Sequence, residues 1–311
     1  MAKDKESLNK SREQRLEILL KFGGVIPESI MKHNKSESAI DFVSSGKMIN
    51  KKNYIDKKQS ETQYYKSQKL KFYKDGMEKE ERDAFSISGV GRNSGTLSLF
   101  SQNVGRNLIN LYTKEHNIII DPFAGHNSRM QLCFELKRNY YGCDICHEFM
   151  EMNKEIRNII KNESPFIENN SFIKLYECDS RKLPFKDDFG DFTITSPPYW
   201  DMEHYGDEKE QLEFSKTYSA FLMNLQLIMK ENYRCLKKGA FCVWFVNDFR
   251  KKGIFYNYHG DIINKMTEVG FIYHDIIIVD LGTSFRAIFA SQIIKNKIVA
   301  KRHEYALVFK K

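Results

Sequence analysis

Asn117-Ile118-Ile119-Ile120-Asp121-Pro122-Phe123-Ala124-Gly125 is the stretch that decides the architecture. Three consecutive isoleucines between polar residues read as a short strand buried on both faces, since a half-buried strand would alternate. A strand of this kind needs helices on both sides, and the downstream chain supplies them. Arg129 to Leu136 suits a helix, Tyr140 to Asp144 a second strand, and about Glu148 to Lys161 a long helix. Phe172 to Tyr176 gives a third strand and Phe192 to Thr195 a fourth. A helix from about Tyr218 to Leu236 precedes Gly239, and Ala240 to Val246 is the fifth strand. A helix near Asp261 to Glu268 leads to strands at Phe271–Val279 and Tyr305–Phe309. Such alternation predicts an α/β fold with a doubly wound, mostly parallel sheet. No clear helix separates the last two strands, so an antiparallel edge pairing is expected there.

Composition limits the function classes. The 311 residues include 23 Phe and 16 Tyr, enough for a sizeable core in one large α/β domain. The net charge of +8 favours a polyanionic partner, although a solvated lysine-rich surface would give the same number. The charged opening Met1-Ala2-Lys3-Asp4-Lys5 is unlike a signal peptide, and no apolar run reaches membrane-spanning length. The cytosol is the expected compartment. Six cysteines in a chain this long do not make a disulfide framework. Cys143 and Cys146 lack a second ligand pair at zinc spacing, so buried thiols rather than a metal site are expected.

Residues 1–60 carry 13 Lys and Arg against 8 Asp and Glu. An amphipathic helix is predicted from Arg12 to Phe22, ended by Gly23-Gly24. Residues 45–83 are rich in Lys, Tyr, Gln and Ser with weak periodicity. Residues 1–95 therefore read as a basic, irregular arm, and residues 96–311 as the main folded domain.

In open parallel sheets, ligands bind beyond the carboxyl ends of the strands, at the switch point. The unusual residues collect there. Gly125, after the first strand, admits a ligand close to the backbone. Asp144 closes the second strand 19 positions beyond Gly125, the spacing at which an acid accepts from ribose hydroxyls. Asp179 follows the third strand, where it could accept from an adenine amino group. Helix capping or solvated turns are the plainer alternatives for both acids. After the fourth strand comes Ser196-Pro197-Pro198-Tyr199-Trp200, a stiff turn that presents a hydroxyl, fixed carbonyls and an aromatic face. Those groups suit a flat ring bearing an exocyclic amine. An ordinary Pro-Pro loop with a packed tyrosine would look the same in isolation.

Together these segments resemble the S-adenosylmethionine-dependent amino-methyltransferases of DNA, which act on cytosine N4 or adenine N6. The likeness spans residues 96–311 and implies a seven-stranded Rossmann-like methyltransferase sheet. Asp121, Pro122, Phe123, Ala124 and Gly125 resemble the loop that binds the methionine part of the cofactor. Asp144 is similar to the ribose-binding acid, and Asp179 to the residue beside the cofactor adenine. Phe100 and Ser101, within Leu99-Phe100-Ser101-Gln102, resemble an additional cofactor segment, and His303 to Phe309 the closing strand. Ser196, Pro197, Pro198 and Tyr199 resemble the catalytic tetrapeptide in the serine form often used on cytosine. Two departures stand out. His126-Asn127 replaces the usual second glycine, though Asn tolerates left-handed φ. The cofactor loop also precedes the tetrapeptide, an order shared with RNA guanosine N2-methyltransferases.

The resemblance implies S-adenosylmethionine as cofactor, DNA as partner, a base flipped out of the duplex and a role of the restriction-modification type. Asp248, ending the fifth strand, either lines the base pocket or caps the next element. Arg286, Lys295, Lys297, Lys301 and Arg302 lie in a stretch without an acid and are the candidates for phosphate contact. RNA methylation, or nucleic-acid binding without catalysis, are the alternative functions.

Overall fold

The computed structural model describes residues 29–32, 100–125, 128–162, 170–200, 202, 208–281, 294–299 and 301–311. The helix expected at Arg12–Phe22, the boundary at residue 95 and Arg286 lie outside them. Among the described residues, ten strands and five α-helices follow in order. They are β1 (Ile30–Lys32), α1 (Gln102–Tyr112), β2 (Ile118–Asp121), α2 (Ser128–Glu135) and β3 (Asn139–Asp144). Then come α3 (His147–Asn162), β4 (Ile173–Glu177), β5 (Gly190–Thr195), α4 (Tyr218–Cys235) and β6 (Leu236–Val246). The chain ends with β7 (Phe249–Lys251), β8 (Ile254–Tyr256), α5 (Tyr258–Val269), β9 (Ile272–Asp280) and β10 (His303–Lys310).

One eight-stranded sheet runs in the order β1-β9-β10-β6-β5-β2-β3-β4, and β7 and β8 form a separate antiparallel ribbon. Strands β4, β3, β2, β5 and β6 are parallel to one another. The order doubles back at β2, which lies between β5 and β3, so a crevice opens beyond its carboxyl end. The fold is therefore the mostly parallel Rossmann-like sheet expected from the sequence. The antiparallel strand is β10, and it stands one place in from the expected edge, between β6 and β9. β10 runs antiparallel alongside β9 and fills the place beside β6. The short β1 adds an eighth strand in parallel with β9.

The apolar alternation of the strands accounts for the two layers of core. Val243 and Phe245 of β6 face one layer with Val104, Leu108 and Ile109 of α1. Cys242, Trp244 and Val246 face the other, against Phe221, Leu225 and Ile228 of α4 and Ile262 and Met266 of α5. Ile119 and Ile120 separate in the same way, into different core clusters, as a strand covered on both faces requires. Gly105 of α1 lets the Phe100 ring lie against the helix, since a Cβ there would sit 2.4 Å from the ring. Helix α5 stops at Gly270, whose φ of 116° forms a left-handed cap. Cys143 and Cys146 are both buried free thiols, as expected. Among the described residues no helix is long and apolar enough to cross a membrane.

Candidate active site

Asp121 is the hub beneath the crevice. Its fully buried carboxylate accepts from Arg129 Nε at 2.6 Å, Tyr140 Oη at 2.8 Å and Thr195 Oγ1 at 2.6 Å. The Phe123 N–H adds a fourth bond at 3.2 Å. These bonds join β2, α2, β3 and β5, so one carboxylate registers both sides of the switch point. Burial would weaken the Arg129 charge, but Asp121 and Tyr140 hold its pKa above the ordinary arginine value. Arg129 also donates through Nη2 to the Phe123 carbonyl, which fixes the loop after β2.

That loop is tied down from three further directions. Asp144 Oδ2 accepts from the Gly125 N–H at 2.7 Å, and its Oδ1 accepts from the Cys146 N–H at 2.9 Å. Asn153 Nδ2 donates to the Gly125 carbonyl at 2.7 Å, and Ser180 Oγ to the Pro122 carbonyl at 2.6 Å. Gly125 has a φ of +50°, a conformation that costs other residues but not glycine. Burial raises the Asp144 pKa to about 6, against the lowering effect of its two backbone donors.

A cleft of about 580 Å³, counting the part open to solvent, lies above this loop. Pro122, Phe123, Gly125, Asp144 and Asp179 line one side, and Ser196 and Pro198 the other. Seven of the residues singled out in the sequence thus meet in one cavity. Asp121, Ala124, Phe100, Ser101, Pro197 and Tyr199 do not line it. Phe100, Ser101, Asp121 and Ala124 are buried around the loop, and Pro197 beneath the turn.

Asp179 plays two parts. It caps the 3-10 turn Ser180–Lys182 through the Arg181 N–H, and both its oxygens accept from the Arg181 guanidinium at 2.6–3.0 Å. It still faces the cleft. Asp248 takes the capping role weighed for it. Its Oδ1 accepts from the His259 N–H at the start of α5 at 3.0 Å and contacts His259 Nδ1 at 2.7 Å. It is not among the cleft residues.

The tetrapeptide side is aromatic. Ser196 Oγ donates to the Phe245 carbonyl at 3.3 Å, and the Pro198 carbonyl accepts from Tyr258 Oη at 2.9 Å. The Tyr199 ring stands edge-on to Phe249 at 6.3 Å and tilted on Tyr258 at 5.8 Å. Trp200 donates from Nε1 to the Ser215 carbonyl at 2.9 Å, so its indole is anchored.

Ile145, Phe149, Ser180, Glu210, Gln211, Leu212 and Ile228 complete the cleft and were not anticipated. Ile145 and Phe149 follow Asp144 closely enough for the crevice rule to have included them. Gln211 and Leu212 belong to an irregular segment without a motif, and Ile228 to the buried stripe of α4. Asn153 and Tyr258 carry no local signal, because their partners lie 28 and 60 residues away.

The cleft fits the adenosyl cofactor on donor chemistry. Asp144 presents a carboxylate for vicinal hydroxyls, and Ile145, Phe149 and Leu212 give apolar walls for a flat ring. Acids on the rim favour a sulfonium charge.

The N6_N4_Mtase family model, described as DNA methylase, matches residues 9–155 and 191–311. A SAM-dependent methyltransferase from Methanosarcina mazei is 14% identical with a TM-score of 0.45, over 66% of this chain and 96% of that one. One from Aquifex aeolicus is 12% identical with a TM-score of 0.42, over 66% and 88%. A Thermus thermophilus protein described as a candidate DNA modification methylase is 25% identical with a TM-score of 0.33, over 42% and 50%. None of the curated proteins compared matches the chain. The family match takes in the loop after β2, the acid ending β3 and the serine tetrapeptide. The chain belongs to this DNA methylase family, whose members are S-adenosylmethionine-dependent DNA amino-methyltransferases.

Proposed function

We propose that the protein methylates cytosine N4 within a specific DNA sequence, with Ser196, Pro197, Pro198 and Tyr199 holding the flipped base. One observation carries the reading: Ser196 faces the same cleft as Gly125 and Asp144. When bound, S-adenosylmethionine supplies an electrophilic methyl group on its sulfonium. The protein's task is to orient the acceptor amine, whose lone pair is otherwise delocalised into the base.

Ser196 is prepared for that task. Its hydroxyl proton is committed to the Phe245 carbonyl, so oxygen lone pairs remain to accept an amine N–H. A carbonyl of the Pro-Pro turn would accept the second N–H. Pro197 is the residue expected for this role; the Pro198 carbonyl, at the cleft, already accepts from Tyr258 and keeps a second lone pair. Tyr199, braced by Phe249 and Tyr258, offers a fixed face for stacking. A serine hydroxyl is a weaker acceptor than a carboxylate, so no strong base acts before transfer. Rate is gained through positioning and preorganised dipoles. A base within the stack cannot reach this cleft and must leave the duplex. Asp144 and Asp179 would hold the ribose and the adenine of the cofactor.

The test is incubation with isotopically labelled cofactor and either unmodified DNA or tRNA, followed by nucleoside mass spectrometry. N4-methylcytosine from DNA is the expected product. N6-methyladenine would move the assignment to the other base, and label on guanosine of tRNA alone would refute it.

A further inference from the structure

The ribbon β7–β8 was not anticipated from the sequence, and no role above uses its exposed face. Its cross-strand pairs are Phe249 with Tyr256, Arg250 with Phe255 and Lys251 with Ile254. The base of the ribbon is fastened to the tetrapeptide turn. Phe249 stacks on Tyr256 at 5.0 Å, Tyr256 meets Trp200 at 5.6 Å, and Lys251 Nζ lies 4.1 Å over the Trp200 ring. Its tip therefore moves with the turn that is to hold the base.

The tip has an uncommon composition. Ile254 is 60% exposed and Phe255 48%, beside exposed Arg250 and Lys252. The span 249–256 contains no acid. The nearest one in sequence, Asp248, is turned inward to His259 and Lys301. The Arg250 guanidinium rests 4.9 Å from the Phe255 ring centroid. Lys252 and Gly253 form the two-residue turn with φ of 48° and 81°. Such turns prefer Asn-Gly or Asp-Gly, so placing Lys at the first position accepts backbone strain and sets a cation at the apex. Burial and the neighbouring Lys252 charge lower the Lys251 pKa, as expected where cations crowd.

We infer that this ribbon is a duplex-DNA contact, with Arg250 and Lys252 on the phosphates and Ile254 and Phe255 against the bases beside the flipped nucleotide. The inference rests on the proposed function for the position of that nucleotide. Cations alone would suit any polyanion. Two exposed apolar side chains between them are what a groove wedge requires, since such side chains unstack base steps next to a kink.

The experiment uses the full chain and a fluorescent, unmodified duplex titrated across salt concentrations. Replacing two phosphate contacts in Arg250→Ala/Lys252→Ala should reduce the slope of log affinity against log salt by roughly 1.8, at about 0.9 per contact. Phe255→Ala should raise the KM for DNA on the order of tenfold, the scale of one lost stacking contact. Unchanged cofactor affinity by calorimetry shows that both variants are folded. An unaltered slope with an unaltered KM overturns the inference. So does a structured RNA that outcompetes the duplex, or a dimer that Phe255→Ala breaks while DNA affinity stays the same. If wild type binds DNA through the ribbon yet methylates none, the proposed function falls and the ribbon contact stands.

Discussion

The two sides of the crevice are built from opposite chemistry. Strands β2, β3 and β4 lead to Asp121, Asp144 and Asp179, all tied to internal donors. Strands β5 and β6 lead into Ser196-Pro197-Pro198-Tyr199 and into an aromatic cluster fringed by Arg250, Lys251 and Lys252. The difference matches two unlike ligands. A small cationic cofactor is suited by acids held in place by donors of the fold. A base attached to a polyanion is suited by stacked rings with cations outside them. Asp121, bonded to Thr195 across the switch point, is where the two sides are joined.

The most damaging way to break the comparison is therefore Asp121→Ala. It leaves Arg129 buried without its counter-charge and should cost about 3–5 kcal/mol in urea unfolding. A loss below about 1 kcal/mol, the scale of an exposed pair, would show that the two sides are held together elsewhere.

Damage confined to the aromatic side should separate catalysis from cofactor binding. Tyr199→Ala is expected to lower methyl transfer on the order of 10²-fold, the scale of a misplaced reacting group. Calorimetric cofactor affinity should stay at the wild-type value, and so it should for Pro198→Ala. Full activity in both variants would remove the turn from the reaction.

The acidic side should show itself in pH dependence. Burial raises the Asp144 pKa to about 6, so the carboxylate is ionised above that pH and protonated below it. A protonated carboxyl accepts hydroxyls poorly. Cofactor affinity should then be level above about pH 7 and fall by up to roughly tenfold per unit below 6, the limit for one linked proton. In Asp144→Asn the dependence should vanish and the affinity stay low throughout. A wild-type profile flat down to pH 5 would dissociate Asp144 from the ligand.

The same division governs what the sequence disclosed. Ile118–Ile120, Pro122 and the loop to Gly125 are local signals, and they yielded the sheet, the switch point and the cleft. The strands and helices of the main sheet from β2 onward were foreseen to within a few residues. The ribbon was missed because Phe249-Arg250-Lys251 and Ile254-Phe255-Tyr256 are too short for periodicity, and its turn uses Lys-Gly in place of Asn-Gly. Asp121 resembled a cofactor residue by position. Only its partners Tyr140 and Thr195, 19 and 74 residues away, reveal a carboxylate filled from within the fold. Pairing at such separations leaves no trace in a single sequence.

The basic stretch before β10 sharpens the comparison with the smallest expected effect. Its lysines and arginines looked equivalent in sequence, but the fold divides them. Lys301 Nζ donates to the Asp248 carbonyl at 2.8 Å and lies 3.5 Å from its carboxylate, while Arg302 forms a bidentate pair with Asp280 at 2.7 and 2.9 Å. Lys295 and Lys297 stand exposed on the surface. A cation that already has a carboxylate releases fewer counterions when it meets a phosphate. Lys295→Ala/Lys297→Ala should therefore reduce the salt slope of DNA binding by at most about 1.8, and Lys301→Ala by much less than the roughly 0.9 of one full contact. Lys301→Ala should instead lower the urea midpoint, because Asp248 remains buried at the start of α5 with one fewer cation beside it. Slopes equal to that of the wild type in all the variants would mean that this stretch stays off the duplex, leaving the β7–β8 ribbon to carry the phosphate contacts.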